Sequence, residues 1–152
     1  MEISAITPFN VIGISVRTTN ENGQAAKDIP LLWQQLITQN ISSKLTAFDE
    51  SPIICIYTDY EKDFTAPYTT ILGYRVDDLN NIPEGLVGIT IHKGNYTKFT
   101  AKGKADEPFV YNEWLKIWQS DIQRAYTADF EIYDYKSQDP DNAEVNIFIA
   151  VP

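Results

Sequence analysis

The sequence predicts an α+β domain: an antiparallel sheet with two helices, built as a tandem βαββ repeat with pseudo-two-fold symmetry and a central ligand cleft. Three observations carry this prediction. Segments of strand-like period 2 alternate with segments of helix-like period 3.6. The two helical segments share one apolar spacing, i, i+4, i+7, i+8: Ile29, Trp33, Leu36 and Ile37, then Val110, Trp114, Ile117 and Trp118, 81 residues later. Each helical segment is followed by two strand-like ones, so the order strand, helix, strand, strand occurs twice.

The elements follow in chain order. Phe9–Val16 is rich in β-branched residues and reads as a strand. Asn20–Gly23 reads as a loop. A helix is expected from about Asp28, with that aspartate as N-cap and Pro30 in the first turn. Pro52–Tyr60 and Pro67–Val76 read as strands, with Glu61–Asp63 as the turn between them. After the loop Asp77–Gly85 come strands Leu86–His92 and Tyr96–Ala101, joined at Lys93-Gly94. Gly103 reads as a turn. A second helix is expected from Asp106/Glu107 with Pro108 just inside it. Ala128–Tyr135 reads as a strand, Ser137–Asn142 as a polar turn and Ala143–Val151 as an apolar last strand. The chain is expected to be one domain over residues 1–152, with halves at about 1–80 and 81–152. Joining the two sheets edge to edge, helices on one side, leaves a cleft on the pseudo-two-fold axis, a common place for a ligand.

Composition narrows the function. With 152 residues, 12 Lys+Arg and 21 Asp+Glu, the net charge is −9. Such a field repels nucleic acid and anionic membrane surfaces and attracts cations. Aromatic residues make up 12% of the chain: nine Tyr, seven Phe and three Trp. They offer stacking surfaces and cation–π contacts of ~0.5–2 kcal/mol each. The start of the chain shows no basic n-region with an apolar run, and no stretch is long and apolar enough to span a bilayer, so a cytoplasmic location is expected.

Little else in the sequence carries chemistry. One His (His92) and one Cys (Cys55) make no His/Cys metal cluster, so no metal is expected. His92 reads as a surface residue at a turn. Cys55, inside Ile53–Ile56, reads as a core thiol. Neither a Walker A lysine motif nor a Gly-x-Gly-x-x-Gly is present, so no cofactor is expected. Asp139–Glu144 lacks the glycine and spacing of a calcium loop and reads as a hairpin turn.

The most informative segment is Thr127–Asp134. On a strand, Asp129, Glu131 and Tyr133 share one face and Phe130 and Ile132 the other. If Phe130 and Ile132 pack on the second helix, Glu131 faces the cleft. A glutamate in a partly dry aromatic pocket would hold a cation or keep a proton, whereas the plain alternative is a solvated strand face. Trp33, Tyr57, Tyr60, Tyr68, Tyr74, Trp114 and Trp118 divide between core packing and cleft wall. The helix face itself assigns Trp114 to the core.

Five segments in order give the chain a family resemblance: Ile29-Pro-Leu-Leu-Trp33-Gln-Gln-Leu, Tyr68-Thr-Thr-Ile-Leu-Gly73-Tyr, Gly94-Asn-Tyr96-Thr-Lys-Phe99-Thr-Ala-Lys-Gly103, Glu113-Trp-Leu-Lys-Ile-Trp118 and Asp129-Phe-Glu131-Ile-Tyr133-Asp. It resembles the GyrI-like small-molecule-binding proteins, which share the fold of effector-binding domains in AraC-type and MerR-type drug-sensing regulators. The resemblance spans essentially the whole chain and implies a tandem βαββ fold. It also implies a cleft glutamate that pairs with lipophilic cations between aromatic walls. The matching positions are Glu131 for the carboxylate and Trp33, Tyr57, Tyr68 and Trp118 for the walls, with Tyr133 beside Glu131. The chain departs from the regulators in having no helix-turn-helix ahead of this domain. It looks like a stand-alone binding domain of the kind carried on mobile gene cassettes, without direct DNA binding.

The leading expectation is therefore a binding protein for a lipophilic, cationic, aromatic small molecule, not an enzyme. Two rivals stand beside it. Members of the resembled family hydrolyse reactive cyclopropanoid compounds, which would make Glu131 a general base and Tyr68 or Tyr133 a proton donor. The second rival is an inhibitor-type module for a protein partner, since the resembled family takes its name from a gyrase inhibitor.

Overall fold

The computed structural model describes residues 2–45 and 51–152. The described elements are strands β1 (Ile3–Ile6) and β2 (Phe9–Thr18), helix α1 (Gln24–Thr38), and strands β3 (Ile53–Thr58), β4 (Tyr68–Val76), β5 (Val87–Ile91) and β6 (Gly94–Gly103). Helix α2 (Phe109–Gln119) and strands β7 (Ala128–Tyr133) and β8 (Ala143–Val151) follow, and short 3-10 turns lie at Glu21–Gly23, Ile41–Lys44 and Tyr135–Gln138. All eight strands form one antiparallel sheet in the order β1-β6-β8-β7-β3-β4-β2-β5.

That order is the expected repeat. β2-α1-β3-β4 and β6-α2-β7-β8 are equivalent units, and they meet at the β3–β7 ladder, where Cys55 pairs with Glu131 and Ile56 with Phe130. The leading strands are exchanged, however: β1 precedes β2 but pairs with β6, and β5 precedes β6 but pairs with β2. β1 has no counterpart in the sequence reading, because four largely exposed residues show too little alternation to mark a strand.

The sheet is curled into a half-barrel. Flat, its outer strands would stand roughly 33 Å apart at the usual inter-strand spacing. Instead, Ile6 of β1 and Ile91 of β5 both pack into one core with Val11, Ile54, Ile56, Ile71, Tyr96 and Phe130. The opposite face carries the helices. α1 lies over Ile14, Cys55 and Leu72, and α2 over Ala101, Ile147 and Ile149.

Several expectations need correction. α1 begins at Gln24, one turn before Asp28, and Pro30 lies inside it. The early turn holds because Ala25 is buried and Asp28, no longer a cap, accepts hydrogen bonds from Thr18 Oγ1 (2.9 Å) and Gln24 Nε2 (3.1 Å). Its core face is Ala25, Leu32 and Leu36, while Ile37 is 62% exposed. α2 begins at Phe109, with Pro108 as its N-cap rather than inside it. β7 ends at Tyr133, not Tyr135, because Asp134 turns the chain by accepting from the Lys136 N–H (2.9 Å). Gly103 is the last residue of β6, not a turn; a Cβ there would lie 2.6 Å from that of Phe109, so its bareness seats the start of α2. His92 is exposed between β5 and β6, and Cys55 is fully buried.

Candidate ligand-binding site

Because both helices lie on one face, a gap remains between them over the β3–β7 join. It is a cavity of about 320 Å³, lined by α1 (Ala26, Ile29, Pro30, Trp33), by α2 (Val110, Tyr111, Trp114, Trp118) and by sheet residues Tyr57, Tyr68, Glu131 and Tyr133. Tyr60, Phe64 and Arg124 contribute from loops. The size falls at the lower end of the usual range for small-molecule pockets, roughly 300–1,000 Å³.

Glu131 is on the cavity floor and 1% exposed. The sequence reading reached the cleft on the condition that Phe130 and Ile132 pack on α2, and the structure reverses that condition while Glu131 still lines the cavity. Phe130 points away from the helices, stacking on Phe148 (ring centroids 4.8 Å apart) and edge-on to Phe9 and Tyr96. Glu131 therefore shares its face with α2 and meets that helix directly. Trp114 Nε1 donates to Glu131 Oε2 (2.6 Å), Tyr57 OH donates to the same oxygen (3.0 Å), and Tyr133 OH donates to Oε1 (2.7 Å). Among the described residues, no cation pairs with it.

This setting fixes the electrostatics. Burial raises the Glu131 carboxyl above its ordinary value, and the donors from Tyr133, Trp114 and Tyr57 offset part of the rise without cancelling it. Burial also pushes Tyr57 and Tyr133 well up, so both hydroxyls stay protonated and remain donors. The cavity thus holds a buried carboxyl group met by three neutral donors, with no positive charge beside it among the described residues.

Two residues away, Asp129 is handled differently. Its Oδ2 takes an ion pair from Arg124 Nη2 (2.7 Å) and a bond from Tyr60 OH (2.5 Å), while Oδ1 takes the Ala150 N–H (2.8 Å). Burial is the largest single effect and would lower the Arg124 pKa, but Asp129, Tyr60 and Tyr126 together outweigh it and hold the group above its ordinary value.

The residues named from the sequence fall into two groups. Tyr57 and Tyr133 touch Glu131. Trp33 packs edge-on to Tyr133 (4.7 Å) and Trp118 stacks on Phe64 (5.4 Å, 8° between planes); both line the cavity, and the hydrogen bonds to Glu131 come from Tyr57, Trp114 and Tyr133 instead. Tyr68 lines the cavity, but its hydroxyl donates to Asn20 Oδ1 (2.6 Å), not to Glu131. Tyr74 packs on the core beneath α1.

The sequence reading missed Trp114 as a site residue, and with it Phe64 and Arg124. Trp114 belongs to the core, as its position implied, yet its indole N–H emerges at Glu131. Arg124 had one usable signal: Asp129, on the Glu131 face of the same strand, needs a counter-charge if buried, and Arg124 is the nearest basic residue upstream.

An α+β half-barrel with two helices flanking an aromatic cleft defines an effector-binding domain of the GyrI-like type. The chain belongs to the Cass2 family of integron-associated effector-binding proteins, whose family model matches residues 2–151. It is 34% identical over 145 residues to YobU of Bacillus subtilis (strain 168), which carries the name of a transcriptional regulator, covering 91% of this chain and 89% of that protein. An integron cassette protein from the mobile metagenome of Vibrio cholerae is 33% identical, with TM-score 0.77 over 99% of this chain and 95% of that one. SAV2435, solved bound to tetraphenylphosphonium, has the same fold (TM-score 0.77, 99% and 93% covered) at 18% identity. Among the described residues no helix is long and apolar enough to cross a membrane.

Proposed function

We propose that the protein takes up a lipophilic, cationic, aromatic small molecule in the cleft, with Glu131 as counter-charge. The observation that carries this reading is the contrast between two buried carboxylates on one strand. Asp129 has Arg124 as a partner, whereas Glu131 meets only neutral donors and faces a cavity of aromatic rings. A buried charge without an opposite charge is costly, and a cation entering the cavity removes that cost. Trp33, Tyr57, Tyr68, Trp118 and Tyr133 supply walls, and Trp114 joins them by holding the carboxylate. The tetraphenylphosphonium held by SAV2435 is a ligand of this class, and the −9 net charge favours cation approach and disfavours nucleic acid.

Binding fits the geometry better than hydrolysis. As a general base Glu131 could act only through Oε1, which already accepts from Tyr133, because Oε2 accepts two hydrogen bonds. Neither tyrosine is placed as the proton donor: Tyr133, its pKa pushed well up by burial, is committed to Glu131, and Tyr68 is turned to Asn20. Calorimetric titration with tetraphenylphosphonium and N-methylacridinium tests the proposal. Saturable binding of at least one is expected, with no hydrated product when a cyclopropanoid electrophile is supplied instead. Absence of binding by both cations refutes it.

A further inference from the structure

Arg124 is the second buried charge in the cavity, and its hydrogen bonding is incomplete. Its side chain is 4% exposed. Nη2 donates to Asp129 (2.7 Å) and to Tyr60 OH (3.3 Å), but Nε and Nη1 find no acceptor among the described residues. On Asp129, Tyr60, Ala150 and Nη2 take three of the roughly four acceptor positions, and neither Nε nor Nη1 reaches the one left on Oδ1. Buried donors on a charged group are rarely left unpaired, and such exceptions mark places where something else binds. Here aromatic rings surround the guanidinium: Tyr126 at 4.4 Å from its central carbon, and Tyr60 and Trp114 at 5.7 Å. Tyr126 is held at positive φ (55°), an uncommon backbone for a bulky residue.

We infer that the cleft has a second pole at Arg124 for a hydrogen-bond acceptor on the ligand, so that its preferred ligand is an aromatic cation bearing a carboxylate about one ring away from the positive charge. The inference rests on the cation-binding reading above and refines it. Trp114 sets the spacing. Its N–H holds Glu131 and its ring packs against Arg124, so the two poles flank a single indole. A zwitterion places its cation at Glu131 and its carboxylate at one of the two free donors, Nε or Nη1, which lie on opposite edges of the guanidinium. The Arg124–Asp129 pair stays intact, and both unmatched features of the cavity are satisfied at once.

The test compares N-methylacridinium bearing a ring carboxylate with its methyl ester, which has the same cation and nearly the same shape. The readout is the ratio of the two affinities, in which general changes in cleft shape cancel. The wild-type protein is expected to prefer the carboxylate by at least ten-fold. Arg124→Met combined with Asp129→Asn, which removes both charges of the pair, is expected to bring the ratio to about one. Should that variant fail to fold, Arg124→Lys keeps a charge for Asp129 while deleting Nε and Nη1, and the ratio should fall likewise. A wild-type ratio near one, meaning that rings or water alone satisfy Arg124, overturns the second pole. A ratio that survives in the variants does the same. Either result leaves cation binding standing as long as the ester binds, whereas failure of both dyes to bind removes the underlying reading.

Discussion

Replacing Glu131 with Gln removes the charge and almost nothing else. The amide oxygen can still accept from Trp114 and Tyr57, and Tyr133 can turn its hydroxyl to accept from the new NH₂ group, so the floor of the cavity keeps its shape. What disappears is the attraction for a cation. A delocalised charge centred ~7 Å from the carboxylate in surroundings of effective dielectric ~20 gains about 2.4 kcal/mol. Desolvation of the ligand offsets part of this, and a net loss of at least ~1.4 kcal/mol is expected, that is ten-fold or more in Kd. Calorimetry with N-methylacridinium measures the loss. Neutral acridine at alkaline pH, with the same ring system, should bind the two proteins alike. If the cation's affinity is unchanged in a folded Glu131→Gln protein, the counter-charge role is wrong.

Three further predictions rest on the same geometry. Burial raises the Glu131 pKa above its ordinary 4.5, so the stability it contributes is full below that value and is lost as pH rises through the raised one. Cation affinity should rise over the same interval, with proton release seen as a buffer-dependent binding heat, and Glu131→Gln should abolish both trends. Trp114→Phe deletes one charge-assisted donor to Glu131, a bond worth ~1.5 kcal/mol or more. The midpoint of the pH-dependent binding should therefore move upward by about one unit. Gly13→Ala tests the fold alone: Gly13 faces Gly73 across β2 and β4, and an added Cβ would lie 2.1 Å from the Leu72 carbonyl oxygen. A loss of about 3 kcal/mol is expected, lowering Tm by roughly 6–12 °C. Circular-dichroism melting reads this, and an unchanged Tm would mean that the strands can part more easily than the register implies.

The sequence by itself determined the repeat and the chemistry available to it. The shared apolar spacing around Trp33 and Trp114, each helix followed by two strands, sets the βαββ order, because hydrophobic periodicity is a local property of the chain. Alternation along Asp129–Tyr133 likewise puts Glu131 and Tyr133 on one face whatever surrounds them. Which face that is, only the tertiary structure decided. Alternation left open whether Phe130 packs on α2; the curl of the sheet builds a second core on its far side, and that core takes Phe130. Glu131 therefore lies under the same helices that wall the cleft. The exchange of β1 and β5 between halves, the turn of Tyr68 toward Asn20 and the meeting of Trp114 with Glu131 are of the same kind. Each depends on partners far apart in the chain, and periodicity carries no information about them. Asp129 and Glu131 look equivalent in sequence; closure of the fold gives one an arginine and leaves the other facing an open aromatic cavity.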